Sequence, residues 1–422
     1  MVVLLTGASG FIGRHLAGAL AAAKHRVICA VRTPPAHPDP RFTYVRADFT
    51  QDFHPEDWLP RLAGVDVVIN AVGIIREHGM QTFSAIHERA PCALFAACAQ
   101  AGTSLVIQLS ALGADSHAQS RYHLSKRHAD EFLRGLPVRS VILQPSLVFV
   151  PGGTSARMFA MLASLPLIPV PGVGAQQVQP VHVDDLVAVV LASLHEPLHR
   201  RSQLSVVGPE PYSLRGFLGE LRGAMGLPPA HFLPVPMPLV RIAARAGGML
   251  PDALLDSETL GMLERGNTAG AEDITALLGR APRGVRAFVH DAPAMRLRAQ
   301  LDWLLPLLRF AIALVWIVTG IVSLGLYPVR DSYALLARVH IEGVLAPVML
   351  YGAALLDLAF GVGTLVLKRR YFLWIAQAGV IAFYTVVISF FLPEFWLHPY
   401  GPLLKNLPML AAIWLLLEVE ER

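Results

Sequence analysis

The sequence predicts an α/β protein with a doubly wound parallel sheet, followed by an all-α transmembrane region. Short, almost wholly apolar runs alternate with segments of helical periodicity over residues 1–210, which is typical of strands buried on both faces. Residues 301–422 instead contain apolar stretches of 22–24 residues, enough to cross about 30 Å of hydrocarbon. The chain of 422 residues is 54% hydrophobic and 16% charged, against about 25% charged in soluble domains, which argues against a wholly soluble protein.

The predicted strands and helices follow one another in regular alternation. In chain order the predicted strands are residues 2–6, 27–31, 42–45, 65–71, 105–109, 140–143 and 204–207. The predicted helices are residues 14–24, 86–100, 122–133, 155–165, 184–194 and 214–225. Helices of this length between parallel strands cover both faces of the sheet.

Two segments depart from this alternation. Residues 145–180 are rich in proline and glycine and contain one short helical stretch, a composition that favours a loop or lid over a site. Residues 240–298 contain several short helical patterns and complete the part of the chain that precedes the apolar tail.

The tail predicts four membrane spans at residues 303–325, 344–367, 371–392 and 403–417. The fourth is shorter and is interrupted by Lys405 and Pro408; a buried helical core is the alternative interpretation. The basic run 368–370 lies between the second and third spans. By the positive-inside rule, this loop, the large N-terminal part and the C-terminus face the cytoplasm.

Two charged residues fall within the predicted spans. Arg309 and Asp357 lie in the same leaflet, at depths of roughly 9 and 15 Å, where an unpaired charge costs about 2.5–3.5 kcal/mol or more. We therefore predict an Arg309–Asp357 pair. Its role is either structural or that of a proton or quinone-headgroup site, and Arg309 snorkelling alone is a further alternative.

Composition excludes other functional classes. The net charge of +4 comes without a basic stripe interleaved with aromatic residues, so we predict no nucleic-acid partner. The cysteines are Cys29, Cys92 and Cys98, an odd number without metal-binding spacing, and we interpret them as reduced core residues. No metal site is predicted.

A glycine-rich turn after the first strand predicts nucleotide binding. Gly7, Gly10 and Gly13 have the spacing G-x-x-G-x-x-G between a strand and a helix, where bare backbone and a helix N-terminus can receive a pyrophosphate. The residues predicted to contact the cofactor here are Gly7, Ser9, Gly10, Phe11, Ile12 and Gly13. The alternative is a turn that binds nothing.

Residues after the next strands predict how the rest of the cofactor is held. Arg32 ends the second strand, where a guanidinium suits a 2′-phosphate, and Arg14 is a second candidate. We therefore favour NADP(H) over NAD(H), although Arg32 as a solvated strand end is the alternative. Asp48 is predicted to bond the adenine amino group. Asn70, Ala71 and Gly73 are predicted to bring the chain close to the cofactor.

A candidate catalytic set follows the fifth strand. Tyr122 and Lys126 stand four residues apart and share one face of a helix. The ammonium is expected to lower the pKa of Tyr122 and thus to make it a proton donor to a carbonyl. Ser110 can polarise the same carbonyl. Alternatively, Lys126 only binds the cofactor and Tyr122 is idle.

These motifs resemble the short-chain dehydrogenase/reductase superfamily, extended or atypical branch, over about residues 1–295. The motifs concerned are Thr6-Gly7-Ala8-Ser9-Gly10-Phe11-Ile12-Gly13, Asn70-Ala71-Val72-Gly73, Ser110, Tyr122-His123-Leu124-Ser125-Lys126 and Pro180-Val181-His182-Val183-Asp184-Asp185. Residues 67–75 and 109–113 are similar to the subgroup that contains the nucleotide-binding accessory subunit of respiratory complex I. Residues 350–353 and 387–405 resemble a DoxX-like membrane domain.

The resemblance implies a domain plan and a function. It implies an NAD(P)-binding Rossmann domain at 1–210 with the lid at 145–180, a small substrate lobe at 211–298 and a four-helix membrane bundle at 301–422. We expect a membrane-anchored NAD(P)H-dependent oxidoreductase acting on a lipophilic carbonyl or quinone-like substrate in the inner (cytoplasmic) membrane. The alternatives are a catalytically idle NADPH-binding scaffold or assembly factor for a respiratory or quinone-related complex and, less favoured, an NADPH-regulated transporter.

Overall fold

The computed structural model describes residues 1–195, 202–248 and 255–420. The chain divides into two compact units, Met1–Ala299 and Gln300–Arg422. The first unit contains the sheet, and the second consists of apolar helices. The predicted substrate lobe includes residues 249–254, which lie outside the described residues.

A parallel sheet of seven strands forms the centre of the first unit, in the order β11-β6-β5-β4-β1-β2-β3. The strands of the chain are β1 (Val2–Thr6), β2 (Arg26–Val31), β3 (Phe42–Arg46), β4 (Val67–Asn70), β5 (Leu105–Leu109), β6 (Ser140–Pro145), β7 (Val148–Phe149), β8 (Ile168–Pro171), β9 (Gln177–Val178), β10 (Val181–His182), β11 (Ser202–Val206), β12 (Tyr212–Ser213) and β13 (Phe232–Val235). The strand order reverses direction between β1 and β4, and such a switch point opens a crevice at the carboxyl ends of the strands. The seven predicted strands are confirmed to within two residues at each end.

The helices of the first unit cover both faces of this sheet. They are α1 (Phe11–Ala22), α2 (Pro55–Trp58), α3 (Ala90–Ala101), α4 (Arg121–Gly135), α5 (Thr154–Ser164), α6 (Val183–His195), α7 (Leu214–Ala224), α8 (Met237–Gly247), α9 (Ser257–Arg265) and α10 (Glu272–Leu278). Short turns of 3₁₀-helix lie at Leu59–Leu62 and Val285–Phe288, and one π-helical turn lies at Ser84–Arg89. All six helices predicted for residues 1–225 form.

Burial on both faces explains why the strands are apolar throughout. Neighbouring side chains of a strand point to opposite faces. Leu5 belongs to the core that α1 and α6 cover, together with Leu16 and Leu186. Leu4 belongs to the opposite core, together with Phe95 of α3. A strand enclosed in this way needs an apolar residue at nearly every position.

The proline- and glycine-rich segment 145–180 folds as part of a small lobe. The first residues of α5 line the cleft described below, while Ile168 and Val170 of β8 are buried in the core of the lobe. That core contains two aromatic pairs, Phe149–Phe288 and Phe159–Phe217, with ring centres 4.9 and 5.2 Å apart. The segment is therefore only partly a cover over the cleft.

The second unit contains α11 (Ala292–Ile321), which begins in the first unit, α12 (Val329–Arg338), α13 (Leu345–Val366), α14 (Tyr371–Phe391) and α15 (Asn406–Val419). Among the residues that the structure describes, three helices can cross a membrane by length and composition: α11 with the turn that follows it, α13 and α14. In place of the predicted fourth span the structure has the apolar helix α15, whose 14 residues are about 21 Å long, shorter than the three helices that can cross a membrane.

Small residues let the helices of the second unit approach closely. A Cβ added at Gly361 of α13 would lie 2.4 Å from Ile317 Cγ1, and one at Gly320 of α11 would lie 2.8 Å from the Ala354 carbonyl oxygen. Such contacts are typical of helices packed inside a membrane, where van der Waals packing replaces the hydrophobic effect.

The predicted Arg309–Asp357 pair is wrong. Arg309 Nε donates instead to Glu420 Oε1, just after α15, and Glu420 Oε2 accepts from Trp374 Nε1 at 3.1 Å. Asp357 is 7% exposed, and its Oδ1 has no hydrogen-bond partner in the described part of the chain. Depth along a helix was estimated from the sequence, but the rotation of each helix, which decides which side chains meet, was not.

Candidate functional site

The glycine turn between β1 and α1 is packed against β4. Gly7 has a φ of +72°, and a Cβ there would lie 2.7 Å from the Ala71 carbonyl carbon and oxygen. At Gly13 a Cβ would lie 2.0 Å from the Gly7 carbonyl oxygen. The Gly10 amide donates to that same oxygen at 2.9 Å. Glycine is therefore required at Gly7 and Gly13 by contacts with backbone atoms, which cannot move aside as a flexible side chain can.

The turn leaves the N-terminus of α1 bare. Its N-cap residue is Gly10, and within residues 1–195, which the structure describes, no side chain caps this helix and no acidic side chain occupies its first turn. The first amides of a helix lack partners within the helix and attract anions. The tip of α1 is thus suited to a phosphate group.

A cleft of about 380 Å³ opens beside this helix tip, at the carboxyl ends of β1, β4, β5 and β6. It brings together nine of the predicted site residues: Gly10, Phe11, Ile12, Gly13, Ala71, Gly73, Ser110, Tyr122 and Lys126. Residues of the lobe complete its lining, among them Leu147, Val150 and Met262. The cleft therefore joins the glycine turn to the candidate catalytic set.

Six predicted residues lie outside the lining of the cleft: Gly7, Ser9, Arg14, Arg32, Asp48 and Asn70. Gly7 shapes the turn through its positive φ and its contact with the Ala71 backbone. Ser9 and Arg14 are exposed, and the Arg14 guanidinium lies 5.2 Å from the centre of the Phe11 ring.

Asn70 holds the sheet together instead of pointing into the cleft. It is fully buried; its Oδ1 accepts from Thr6 Oγ1 at 2.6 Å, and its Nδ2 donates to Gln108 Oε1 at 2.7 Å. The side chain thus links β1, β4 and β5 at their carboxyl ends. It fixes the spacing of the strands on which the cleft is built.

Arg32 and Asp48 lie after β2 and β3, which are the next strands beyond β1. Arg32 is exposed, and Asp48 Oδ1 accepts from the Thr50 amide and hydroxyl at 2.9 and 2.7 Å. Burial alone would raise the pKa of Asp48, but the bonds from Thr50 and the positive charges of Arg32 and Arg46 hold that pKa below its usual value. Asp48 is therefore ionised at neutral pH.

Lys126 is buried between two strand ends. Its Nζ donates to the Leu109 carbonyl at 3.1 Å and to the Val72 carbonyl at 3.3 Å. Burial lowers the pKa of Lys126, and the charge of Asp130 partly offsets this. A Cβ at Gly73 would lie 3.1 Å from Nζ, so this residue leaves room for the ammonium.

Asp130 is a buried site residue that the sequence reasoning missed. It is fully buried one turn beyond Lys126 on α4, and its Oδ2 accepts from Ser110 Oγ. Burial raises the pKa of Asp130, while the Ser110 hydroxyl and the Lys126 charge oppose that rise. The spacing Tyr122, Lys126, Asp130, one residue every four on a helix, was the signal that could have identified it.

Tyr122 does not have the lowered pKa that the sequence predicted. Burial raises the pKa of Tyr122 to about 12, and the negative charge of Asp130 adds to this. The predicted lowering is wrong because burial outweighs the effect of the ammonium, whose Nζ donates to the Leu109 and Val72 carbonyls. Tyr122 is half-buried beside the rings of Phe83 and His87, at 6.0 and 5.4 Å between ring centres, and at neutral pH it keeps its proton.

His87 is a second residue that the sequence did not reveal. Its Nε2 accepts from the Ile74 amide at 3.0 Å, so Nδ1 carries the proton and donates to Ser125 Oγ at 2.9 Å. Ser125 in turn donates to the Tyr122 carbonyl at 2.8 Å. Burial lowers the pKa of His87 to about 2, and the imidazole is therefore neutral. This chain of bonds fixes the first turn of α4 and hence the position of Tyr122.

Within the described ranges 1–195, 202–248 and 255–420, no group of three or more His, Cys, Asp or Glu side chains is arranged to hold a metal ion. The chemistry that the cleft can perform rests on a phenol, an ammonium, a hydroxyl and a carboxyl group. These groups can bind, position and protonate a ligand, but they hold no redox equivalents.

Two family models match the chain. Residues 3–207 match the NAD dependent epimerase/dehydratase family, and residues 313–414 match the DoxX-like family. The first match covers the sheet and all of the cleft lining except Met262 and Asn267. The second begins within α11 and ends within α15, and it agrees with the apolar helices in indicating a membrane protein.

Two curated relatives are each similar to about half of this chain. A protein of Caulobacter vibrioides named ceramide reductase is 31% identical over 230 residues, covering 54% of this chain and 72% of that protein. Subunit 9 of the NADH dehydrogenase (ubiquinone) 1 alpha subcomplex from Arabidopsis thaliana is 29% identical over 210 residues, covering 46% of this chain and 50% of that protein.

Solved structures share the fold. A nucleoside-diphosphate-sugar epimerase from Staphylococcus aureus superimposes with a TM-score of 0.58 at 17% identity, covering 69% of this chain and all of that one. At this identity the likeness concerns the fold alone. It agrees with the parallel sheet and the C-terminal lobe of the first unit.

Proposed function

Because the chain belongs to the NAD-dependent epimerase/dehydratase family, with a DoxX-like membrane domain after it, we propose that it is a membrane-anchored, NADPH-dependent reductase of lipophilic carbonyl compounds. The observation that carries this proposal is the meeting of Ser110, Tyr122 and Lys126 in one cleft with the bare tip of α1. Each of these groups has a task in reducing a carbonyl to an alcohol.

The residues present fit a dinucleotide. Gly7 and Gly13 form a turn in which an added Cβ would strike the backbone, and the first amides of α1 face the cleft. The pyrophosphate would be held at this tip, with Arg32 and Asp48 towards the adenosine end. A bound nicotinamide supplies the hydride that no side chain here can provide.

Tyr122 is suited to deliver the proton. Reduction of C=O to CH–OH needs a hydride at carbon and a proton at oxygen. With a pKa near 12, Tyr122 is fully protonated at neutral pH and can donate from its hydroxyl to the developing alkoxide. The phenolate that would accept a proton in the reverse reaction is scarcely populated at neutral pH, so Tyr122 is suited to act as a proton donor.

Lys126 and His87 position Tyr122 and the strands. Lys126 ties the ends of β4 and β5 to α4 through the Val72 and Leu109 carbonyls, and His87 fixes the first turn of α4 through Ser125. Both arrangements consist of contacts within the chain itself, which fix the groups that would meet a ligand.

A lipophilic substrate is supported by the lining and by one relative. Leu147, Val150 and Met262 give the lining of the cleft an apolar part. The relative from Caulobacter vibrioides is named ceramide reductase, and ceramide is a lipid. Membrane helices in the same chain bring the enzyme to the phase in which such substrates dissolve.

The first experiment is the exchange Tyr122→Phe in the full-length protein in lipid nanodiscs. NADPH consumption is followed with a panel of long-chain ketones, keto-lipids and quinones. Loss of the proton donor should lower kcat by about 10²–10⁴-fold while NADPH binding, measured by fluorescence, is kept. The control is Tyr400→Phe, an exposed tyrosine of the second unit. Full activity in the Tyr122 variant would refute the assigned role.

Cofactor preference is tested at Arg32. In the proposal its guanidinium binds a 2′-phosphate, and a bond to a charged group contributes about 1.5–3 kcal/mol. Arg32→Ala should therefore weaken NADPH binding by roughly 10- to 100-fold and leave NADH binding unchanged. Equal affinity of the wild-type protein for the two cofactors contradicts the preference for NADPH.

A non-catalytic scaffold is the second candidate, supported by the similarity to a complex I subunit. In that case the purified protein binds NADPH, but no membrane extract causes it to consume the cofactor, and the Tyr122 variant behaves like the wild type.

We also propose that the first unit faces the cytoplasm, because residues 368–370 place three positive charges between α13 and α14.

A further inference from the structure

The small lobe carries an apolar surface patch, which we define by Leu167, Val173, Leu233, Leu239 and Ile242. These side chains are between 47% and 68% exposed. Single exposed apolar residues need no explanation, but a cluster on one surface of a monomer marks a contact with a partner or a membrane.

The members of the patch lie on connected elements. Strand β8 pairs with β13 in a two-stranded ribbon in which Leu233 is opposite Pro169. The Gly172 amide, next to Val173, donates to the Val235 carbonyl at 2.8 Å. Helix α8 begins two residues after β13, and this brings its first turn against the same ribbon.

Helix α8 carries apolar residues on two sides, one buried in the lobe and one exposed. Its buried stripe, Val240, Ala244 and Gly247, faces the lobe. Leu239 and Ile242 lie on the exposed side at 56% and 60% exposure. An exposed apolar arc on a helix that is already packed on its other side is available to a bilayer.

Arginines surround this apolar arc. Arg241 and Arg245 are exposed on α8, and the Arg215 guanidinium lies 4.8 Å from the ring centre of Phe232 in the ribbon. Residues 211–248 contain one acidic residue and four arginines, of which Arg215, Arg241 and Arg245 are exposed. One of the arginines, Arg241, also pairs with Glu264 at 3.0 Å. Long cationic side chains beside exposed Leu and Ile match anionic headgroups above acyl chains.

We propose that this patch docks the lobe on a bilayer surface that contains anionic lipid. The chain itself favours this partner over another protein, because α11 leads directly from the first unit into a membrane-spanning segment. Tethering keeps a bilayer at high effective concentration near the lobe, so a modest patch suffices.

Docking at the patch would place the cleft close to lipid. Helix α5 starts at the cleft, where Thr154 and Ser155 line it, and ends three residues before Leu167. Its 11 residues span about 16 Å. Arg222 fixes the end of α5 by donating to the Ala163 and Leu165 carbonyls at 2.7 and 2.8 Å, so the patch and the cleft are rigidly connected.

The test uses a fluorescent probe in full-length protein in nanodiscs. Cys29, Cys92 and Cys98 are replaced by alanine, and Ile242→Cys is labelled with an environment-sensitive fluorophore. Ala23→Cys, an exposed residue just after α1, is the matched control. With anionic lipid, the emission of the probe at 242 should shift to the blue and be quenched by brominated lipids, while the control probe remains in water.

Three outcomes decide the proposal. Quenching at 242 that is reduced by Arg245→Glu and kept by Arg245→Lys supports it. A probe at 242 that is as exposed to water as the control overturns it. A blue-shifted probe that brominated lipid does not quench also overturns it, because a second copy or another protein then covers the patch. None of these measurements depends on catalytic activity.

Discussion

Replacing Gly13 by alanine tests the glycine turn directly. The added Cβ would lie 2.0 Å from the Gly7 carbonyl oxygen, so reaching even 3.0 Å requires a shift of at least about 1 Å. The added Cβ is bonded directly to the backbone of α1, and the atom it meets belongs to the backbone after β1, so α1 must move away from β1. Overpacking of this kind costs about 1–3 kcal/mol, and the displaced α1 amides should bind a pyrophosphate about tenfold or more less tightly.

The same helix provides the control. Gly18 also lies in α1, but a Cβ there meets nothing within 4 Å, so Gly18→Ala should stabilise the protein by about 0.5–1 kcal/mol and leave binding unchanged. Thermal unfolding midpoints and NADPH titrations of both variants in nanodiscs measure the two effects. If Gly13→Ala unfolds and binds as the wild type does, the close packing of the turn is not what shapes the cofactor site.

Three further changes test buried charges. Burial raises the pKa of Asp130 in the folded protein above that of an unfolded carboxyl group. The stability that protonated Asp130 contributes is therefore complete below about pH 4 and is lost as the pH rises through the raised pKa. Asp130→Asn should flatten that part of the pH–stability profile. Glu420→Gln removes the negative charge beside Arg309 and should cost about 1–3 kcal/mol, with the exposed Glu418→Gln as its control in the same thermal unfolding assay. Asp357→Asn should raise or preserve the unfolding midpoint, since a buried carboxylate without an ionic partner is costly; a clear loss would show that Asp357 has a stabilising partner.

The sequence predicted those features that depend on local pattern. Buried parallel strands are apolar along their whole length, so their positions were visible as runs such as residues 105–109. The glycines of the turn were visible because a backbone contact tolerates no other residue. The four-residue spacing of Tyr122 and Lys126 placed both on one face of α4, and both line the cleft.

The features that were missed depend on contacts between distant parts of the chain. His87 is 38 residues from Ser125 in the sequence, and Arg309 is 111 residues from Glu420. A buried histidine on a π-helical turn and a glutamate after the last helix have no local pattern that distinguishes them from surface residues. The predicted lowering of the Tyr122 pKa was wrong for a related reason. Burial outweighs the effect of the Lys126 ammonium, which is turned towards two backbone carbonyls.

The bond between Ser110 and Asp130 restricts what the serine can do. Ser110 has one hydroxyl hydrogen, and it is donated to Asp130. While Asp130 is ionised, Ser110 can only accept a bond from a ligand and cannot polarise a carbonyl. Once Asp130 is protonated, the carboxyl group can donate to Ser110 and release the serine hydrogen towards the cleft. Because burial raises the pKa of Asp130, this second state is closer to neutral pH than an exposed aspartate would allow. Carbonyl reduction that depends on Ser110 should therefore increase as Asp130 takes up its proton, and it should lose that pH dependence in Asp130→Asn.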